Sequence, residues 1–335
     1  MSTGRVIGLG VCGLALLGAA VGCGARDDRG QATGAEPADS LRSRPHVYYR
    51  SVRPGEYGKV VLADLDAPDE RRAVSDLTCD RLDFGVRRGL CLAEVRGVPG
   101  IASIVKIVDV NFAVLKAFPM TGAPIRARVS PDERYGAVTV FATGEHYDAD
   151  FTTRTWLVDL ERQSLLGELE SFDTTRDGTP FREVDFNFWG VTFERDPNRF
   201  YATLGTGARR FLVRGTMDSK QFETVRDGME CPSLSPDGSR VGFKKPNANA
   251  AVGSRTWRVA VFDLASQREW LLPQETRNID DQVEWLDDDH LLYQFAEPQG
   301  LPEEAVNTWV SPVERESAPP RIFIKAGTSP AVVRP

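Results

Sequence analysis

The sequence predicts an all-β fold, a six-bladed β-propeller built from four-stranded antiparallel blades. Three observations predict it: a hairpin with a Ser-Pro-Asp turn recurs along the chain, further strands repeatedly end in Asp-Leu, and the C-terminal segment resembles a strand that the first unit lacks. The units repeat at close to the ~40 to 45 residues that are typical of a propeller blade. Repetition at this spacing indicates that one supersecondary unit is used several times.

The hairpin motif is clearest at residues 232–243, where an apolar strand runs into Ser-Pro-Asp-Gly and returns as a second strand. Residues 127–141 keep the Ser-Pro-Asp turn, and residues 283–295 keep the pattern with a turn made of Asp residues. Pro presets φ at the first corner, Asp bonds to its own backbone, and Gly supplies a positive φ. Each copy therefore predicts two antiparallel strands.

The remaining strands complete each unit. Six second strands are predicted, one in each unit, at 46–49, 90–95, 135–141, 200–204, 241–245 and 291–295. Third strands are predicted at 60–65, 154–160, 255–264 and 307–310, and short fourth strands at 164–169 and 269–272. The fourth unit, which begins at residue 186, is the most divergent and has 194–198 as its first turn.

The first unit lacks a first strand, because the residues before Arg44 are polar linker. At the other end of the chain, residues 329–333 resemble such a strand with nothing after it. We therefore predict that the C-terminal segment inserts into the N-terminal blade and closes the ring. Closure removes the open sheet edges that invite aggregation.

The charge of the chain argues against two kinds of partner. The 335 residues carry a formal net charge of -7, and acidic and basic residues are interspersed. Without long charged runs, neither nucleic acid nor an anionic membrane surface is favoured as a partner.

The N-terminus has the pattern of an export signal. Arg5 precedes an apolar run at 6–21, which is short for a bilayer span and fits the core of a signal peptide. Residues 20–23, Ala-Val-Gly-Cys, resemble a bacterial lipobox, in which Cys23 is acylated and becomes the mature N-terminus. Simple secretion and an uncleaved anchor are the alternatives.

These signals predict a domain organisation. A lipoprotein signal peptide occupies 1–22, a flexible tether 23–44, and the propeller 45–335. The propeller is then extracytoplasmic and is lipid-anchored to the bacterial cell membrane through Cys23.

Two cysteines of the propeller fall in one unit. Cys79 and Cys91 are predicted on its first and second strands, nearly opposite each other. Because export permits disulfides, a cross-strand bond is one interpretation, worth up to ~3 kcal/mol for a loop of this length. Two buried thiols are the other. Cys231 has no evident partner and is predicted to be a small core residue.

Catalytic motifs are absent from the sequence, which has no G-x-S-x-G elbow, no H-E-x-x-H, no paired C-x-x-C and no P-loop. The three His residues fall in different units. Of these, only His146 lies in a long loop, and it is a candidate for a weak ligand contact. The Asp run at 287–289 fits a tight turn better than a Ca²⁺ site. We expect no metal, no cofactor and no enzymatic activity.

Loop lengths indicate where binding occurs. Connections are long at 142–153, 172–185, 244–254 and 296–306, and they emerge on one face of a propeller, here called the long-loop face. The turns between first and second strands are short and define the opposite, short-turn face. Long loops on a rigid scaffold are where binding tends to occur, although neutral drift also lengthens loops.

Candidate binding residues are those predicted to begin the inner strands near the channel mouth, together with the loop His. They are Arg126, Arg128, His146, Asp185, Asn187, Trp189, Asp280, Asp281 and Glu284.

These motifs together resemble the propeller of TolB-like proteins, over roughly 45–335. The stretches R-A-R-V-S-P-D at 126–132, D-F-N-F-W-G-V-T-F at 185–193, E-C-P-S-L-S-P-D-G at 230–238 and D-D-Q-V-E-W-L-D-D-D at 280–289 are similar to an actinobacterial, lipid-anchored "TolB-like translocation protein" group. TolB itself is periplasmic, carries an additional N-terminal α/β domain and docks a peptidoglycan-associated lipoprotein. The resemblance implies an extracytoplasmic binding propeller.

Two functions follow as hypotheses. The first is a non-enzymatic binding or scaffold module that holds a protein, peptide or cell-envelope component on the long-loop face. The second is a propeller lactonase or glycan-acting hydrolase that uses Asp185, Asp281 and Glu284 as acid and base. Two carboxylates about 5 to 10 Å apart in a deep channel would favour hydrolysis, and scattered ones would favour binding.

Overall fold

The computed structural model describes residues 36–97, 102–142, 152–250, 255–296, 306–314 and 318–335. In these residues the chain forms six sheets that follow one another along the sequence. The innermost strand of each sheet contacts the innermost strands of both neighbouring sheets, so the sheets form a closed ring. The predicted six-bladed β-propeller is confirmed.

The blades are composed as follows, with strands given from the channel outwards. Blade 1 contains β1 (His46–Ser51), β2 (Lys59–Asp64) and β3 (Arg72–Thr78), completed by a strand from the C-terminus. Blade 2 contains β4 (Arg81–Phe84), β5 (Arg88–Val95), β6 (Ala102–Asp109) and β7 (Val114–Thr121). Blade 3 contains β8 (Ala123–Val129), β9 (Tyr135–Phe141), β10 (Thr153–Asp159) and β11 (Ser164–Glu168).

The second half of the ring has the same plan. After β12 (Asp173–Arg176) and β13 (Thr179–Pro180), blade 4 contains β14 (Asn187–Phe193), β15 (Arg199–Thr206), β16 (Arg209–Thr216) and β17 (Gln221–Asp227). Blade 5 contains β18 (Glu230–Leu234), β19 (Arg240–Pro246), β20 (Trp257–Asp263) and β21 (Glu269–Leu271). Blade 6 contains β22 (Glu284–Asp287), β23 (His290–Ala296), β24 (Val306–Pro312) and β25 (Arg321–Ile324). The predicted second strands correspond to β1, β5, β9, β15, β19 and β23.

The C-terminal strand β26 (Gly327–Val333) closes the ring. It pairs antiparallel with β1, and the register places Val332 opposite Val47 and Val333 opposite His46. The innermost strand of the first blade is therefore supplied by the last strand of the chain, as predicted.

Blade 4 is wider than the others. The connection predicted as a long loop at 172–185 instead contains β12 and β13, and β12 pairs in parallel with the outer strand β17. A single 3₁₀ turn, Leu169–Ser171, precedes it. The connection from blade 3 therefore lies against the outer edge of blade 4 before entering the channel-lining strand β14.

Six apolar clusters are found in the described residues, one at each junction between neighbouring blades. Side chains alternate between the two faces of a strand, and both faces of a blade are covered by its neighbours. Every residue of β1 is buried for this reason. This double burial explains why the second strands read as nearly continuous apolar runs.

The Ser-Pro-Asp turns have the geometry that their residues predict. The hydroxyl of Ser130 donates to the carboxylate of Asp132 at 2.6 Å, and that of Ser235 donates to Asp237 at the same distance. Hydrogen bonds from the side chains of Ser235 and Ser239 lower the pKa of Asp237 to about 2, although partial burial acts in the opposite direction. The motif is thus a hydrogen-bonded turn rather than a ligand site.

The described structure extends to residues before 45. A short helix, α1 (Ala38–Arg42), lies within the predicted tether, and its Leu41 is fully buried against blades 1 and 2. The guanidinium of Arg42 donates to the carbonyl of Val110 at 2.5 Å. The predicted signal peptide and Cys23 lie outside the described residues, in which no helix is long and apolar enough to cross a bilayer.

Cys79 and Cys91 form a disulfide, with Cα atoms 5.4 Å apart. Cys91 lies on β5 opposite Leu82, whereas Cys79 lies between β3 and β4 instead of on the first strand. The N–H of Cys79 donates to the carbonyl of Gly58 in blade 1 at 2.9 Å. The bond therefore ties the crossing between blades 1 and 2 to β5. Cys231 is a buried free thiol, in the kind of position predicted for it.

Candidate functional site

Two ion pairs cross the central channel between blade 3 and blade 6, which are opposite each other in a six-bladed ring. The guanidinium of Arg126 lies 3.0 Å from the carboxylate of Asp281, and both side chains are buried. One layer further along β8, the guanidinium of Arg128 contacts the carboxylate of Glu284. These four candidate residues are thus brought together as two pairs.

A neutral side chain reinforces this bridging. The amide of Gln282 donates to the carbonyl of Val191 in blade 4 at 3.1 Å and to that of Pro232 in blade 5 at 2.7 Å. Side chains therefore cross the channel in its middle and link inner strands of four blades.

The channel opens as a cavity of about 320 Å³ on the short-turn face. Its lining comes from all six inner strands and from the turns that follow β4, β8, β14 and β18, including Asp83, Arg128, Ser235, Glu284 and Val333. Arg128 and Glu284 were predicted to begin inner strands at the long-loop mouth. Glu284 does begin β22, but Arg128 lies one residue before the end of β8, and both side chains line the cavity on the short-turn face, since β22 is only four residues long.

Another buried carboxylate shares this cavity with Arg128 and Glu284. Asp83 on β4 is 7% exposed, and its carboxylate accepts a hydrogen bond from the N–H of Val129 at 2.6 Å. Burial raises the pKa of Asp83 to about 7, against the opposing effect of the Arg128 charge, and burial also raises the pKa of Glu284. The carboxylates of Asp83 and Glu284 therefore both act on the guanidinium of Arg128, and the charge of Arg334 also acts on Glu284.

Asp280 belongs to a separate network nearer the long-loop face. Its carboxylate contacts the ammonium of Lys244, which is almost fully buried and lies 4.5 Å from the centre of the Trp257 ring. Glu230 lies 3.9 Å from both Lys244 and Arg210. These charges neutralise one another inside blades 4 and 5.

A larger pocket, of about 860 Å³, opens on the long-loop face between blades 3 and 4. It lies where the connection from blade 3 enters β14 and where the turn between β15 and β16 approaches the start of β10. We call it the blade 3/4 pocket, and its lining residues are Thr152, Thr153, Arg154, Glu170, Arg182, Glu183, Val184, Asp185, Phe186, Asn187, Trp189, Gly205, Thr206, Gly207 and Arg210.

Three of the candidate residues lie in the blade 3/4 pocket and hold its frame. The carboxylate of Asp185 accepts hydrogen bonds from the Thr206 hydroxyl and the Gly207 N–H, both at 2.6 Å, and these bonds lower the pKa of Asp185. The side-chain oxygen of Asn187 accepts a hydrogen bond from the N–H of Thr153 at 2.8 Å. The indole of Trp189 is covered by the guanidinium of Arg210.

The rim of the pocket is exposed. Arg182, Glu183 and Val184 form a run of exposed residues, and Val184 is as accessible as in an extended peptide. Because the Val184 side chain is not buried, it does not stabilise the fold through apolar burial. The rim is therefore accessible to another molecule.

The candidate residues therefore fall into four places. Arg126 with Asp281, Arg128 with Glu284, and Asp280 with Lys244 are internal charge pairs, whereas Asp185, Asn187 and Trp189 line the blade 3/4 pocket. His146 lies outside the described residues. Among the residues that the structure does describe, no group of three or more His, Cys, Asp or Glu side chains is placed to hold a metal ion.

Asp83 and Glu170 are site residues that sequence reasoning missed. Asp83 lies in the short strand Arg-Leu-Asp-Phe, and Glu170 lies in a single 3₁₀ turn within a connection. Neither residue belongs to a motif. The burial of a single carboxylate leaves no repeating pattern in the sequence, so it could not be predicted from the sequence.

Comparison with solved structures places this fold. TolB from Acinetobacter baumannii superposes with a TM-score of 0.57 at 14% sequence identity, over 86% of this chain and 66% of that chain. The fold is that of a TolB propeller. This chain thus spans slightly less than two thirds of the length of that TolB.

Further structures are similar to this TolB-type propeller. A protein described as a "putative TolB" from Agrobacterium tumefaciens gives a TM-score of 0.49 at 11% identity, over 85% of this chain and 91% of that chain. A chain of a nidogen/laminin complex gives 0.52 at 9% identity, over 86% of this chain and 98% of that chain. No protein-family model and no curated protein matches the sequence. At these identities the similarity establishes the fold alone.

Proposed function

We propose that this chain is an extracytoplasmic, lipid-anchored β-propeller that binds a protein, peptide or other envelope component without catalysing a reaction. The observation that carries the proposal is the blade 3/4 pocket, whose frame is fixed by hydrogen bonds and whose rim is exposed. A rigid scaffold with accessible connections on one face is the usual arrangement of a binding site.

The charges in the channel support binding over catalysis. A general base needs a carboxylate that is free to accept a proton, but the carboxylates of Asp281 and Glu284 each contact an arginine. Asp185, the third carboxylate of the hydrolase hypothesis, is engaged by Thr206 and Gly207 on the long-loop face. The similarity to a TolB and to a chain of a nidogen/laminin complex is consistent with a binding propeller.

One observation favours the hydrolase as a second candidate. Asp83 and Glu284 share a cavity, and burial raises the pKa of both. In such an enzyme Asp83 would donate the proton to a leaving group. Hydrolysis of aryl glycosides or lactones that is lost in Asp83→Asn but kept in Asp185→Asn would support this candidate; wild-type protein without hydrolysis would exclude it for these substrates.

The binding proposal is tested by changing the rim. In intact cells treated with a crosslinker, the variant R182A/E183A/V184A should lose the envelope partners that wild type captures. The control V86A/R87A changes exposed residues at the short-turn face and should capture them normally. Loss of capture in the control alone would overturn the assignment of the face.

The anchor is tested separately at Cys23. Acylation of this residue predicts that wild type incorporates labelled palmitate and sediments with membranes. Cys23→Ala should lose the label and keep the uncleaved apolar run at 6–21, which lengthens the protein. Label that persists in Cys23→Ala, or a wild type of the same length as Cys23→Ala, would contradict the lipid anchor and support an uncleaved apolar anchor.

A further inference from the structure

Glu170 is a half-buried residue that lines the blade 3/4 pocket. It lies in the 3₁₀ turn Leu169–Ser171, which packs against β10 and β14. Both carboxylate oxygens accept from the N–H of Thr155, at 3.2 and 3.3 Å, and the backbone N–H groups of Phe188 and of Glu170 itself also act on this carboxylate. These donors are neutral, so a cationic ligand in the pocket would supply a full positive charge that they do not.

No cation balances this carboxylate in the described part of the chain. Arg154 also lines the pocket, but its guanidinium lies 2.8 Å from Glu168. Arg210 covers Trp189 and donates to the carbonyl of Gly207 at 2.9 Å.

The remaining charged groups of the pocket do not supply a counter-ion either. Asp185 and Glu183 are themselves acidic, and Arg182 is exposed at the rim. Glu170 is therefore a desolvated carboxylate without an ion pair in the described structure.

An unpaired charge removed from water is costly, and the protein responds by favouring the neutral form. Burial raises the pKa of Glu170 to about 7, and the nearby Glu168 carboxylate adds to the shift. A bound cation would reverse this penalty by supplying the missing charge. The aromatic side chains of Phe186 and Trp189 in the same pocket would cover the apolar stem that carries such a cation.

We propose that Glu170 binds a cationic N–H donor, the ammonium or guanidinium of a Lys or Arg side chain presented by the captured molecule. This inference rests on the proposed function and deepens it, because it names the chemistry that the blade 3/4 pocket selects. Val184 and Arg182, which are exposed at the rim, contact the residues of the captured molecule that flank this Lys or Arg.

The test uses two probes whose side chains have the same length, one ending in an ammonium and the other in a methyl group. Calorimetric titration of the full chain in detergent compares Nα-acetyl-lysine methylamide with the methylamide of Nα-acetyl-2-aminoheptanoic acid. At pH 8 the lysine probe should bind at least tenfold more tightly than the methyl-terminated probe. Because the ionised carboxylate is the binding form and the pKa of Glu170 is about 7, affinity for lysine should fall about tenfold between pH 8 and pH 6.

Matched variants identify the residue responsible. Glu170→Gln should bind both probes equally, whereas Glu161→Gln, which changes an exposed carboxylate on the turn between β10 and β11, should behave as wild type. Equal binding of the probes to wild type, or unchanged preference in Glu170→Gln, would overturn the inference. Loss of the preference in Glu161→Gln but not in Glu170→Gln would place the cation elsewhere and overturn it as well.

Failure of this inference is distinguishable from failure of the proposed function. If Glu170→Gln captures the same envelope partners as wild type while R182A/E183A/V184A does not, the pocket binds but without the cation contact. If the lysine probe requires Glu170 but the rim variant still captures those partners, the cation site is real and the envelope partner binds elsewhere.

Discussion

Arg128 and Glu284 form an ion pair across the central channel although they are 156 residues apart and belong to opposite blades. Asp83 of blade 2 faces the same guanidinium from the side. Together with the Arg126 and Asp281 pair, this contact links the inner strands β8 and β22 through side chains rather than through backbone hydrogen bonds. The channel is thus a bridged interior and not an open pore.

Breaking the Arg128 and Glu284 pair should destabilise the ring. The side chains are 14% and 17% exposed, and removing one partner of a buried pair leaves the other uncompensated, at about 3 to 5 kcal/mol. Arg128→Leu should lower the free energy of unfolding in urea by this order. Glu284→Leu should lower it by less, because Asp83 still faces the guanidinium, and the double variant should lower it by clearly less than the sum of the two.

The exposed pair of Arg154 and Glu168 is the control for this cycle. Its side chains are 48% and 37% exposed, so its coupling energy should not exceed about 1 kcal/mol. Equal coupling energies for the two pairs would show that water screens the channel pair as it screens the surface pair. The channel pair would then not stabilise the ring more than a surface ion pair does.

The disulfide between Cys79 and Cys91 should stabilise the junction of blades 1 and 2. It closes a loop with a sequence separation of 12, for which about 3 kcal/mol is expected. C79A/C91A should lower the free energy of unfolding by this order, and dithiothreitol should lower that of wild type but not that of the variant. A reductant effect of equal size on both proteins would contradict the assignment.

Glu170 should make stability depend on pH in a defined direction. Between pH 4.5 and about 7 the unfolded chain releases the proton of Glu170 while the folded chain retains it, so wild type loses stability as pH rises through this window. The loss attributable to Glu170 is about 3 kcal/mol at most. In urea unfolding, the free energy of unfolding of Glu170→Gln relative to that of wild type should rise by this order between pH 4.5 and pH 8. If the free energies of the two proteins change with pH in parallel, the burial of an unpaired carboxylate is contradicted.

The ring could be predicted from local chemistry. Ser-Pro-Asp turns depend on hydrogen bonds between residues two to five positions apart, so they are visible in the sequence and recur at 130–135 and 235–240. The unpaired strand at 329–333 could be recognised because a closed sheet needs a partner for β1.

The site could be predicted only in part. Which mouth of the channel a residue faces depends on strand direction and register, which local sequence does not show. Arg128 and Glu284 were predicted at the long-loop face, but they line the cavity on the short-turn face. The parallel pairing of β12 with β17 joins segments that carry no shared pattern. Asp185, Asn187 and Trp189 were found together because they follow one connection into one strand.

The face that binds a partner is tested most directly by a photoreactive amino acid placed at either of two exposed valines. Val184 lies at the rim of the blade 3/4 pocket, and Val86, which is 45% exposed, lines the channel cavity on the short-turn face. Irradiation of cells should yield a crosslinked envelope partner from position 184 and none from position 86. Crosslinks from position 86 alone would contradict the account.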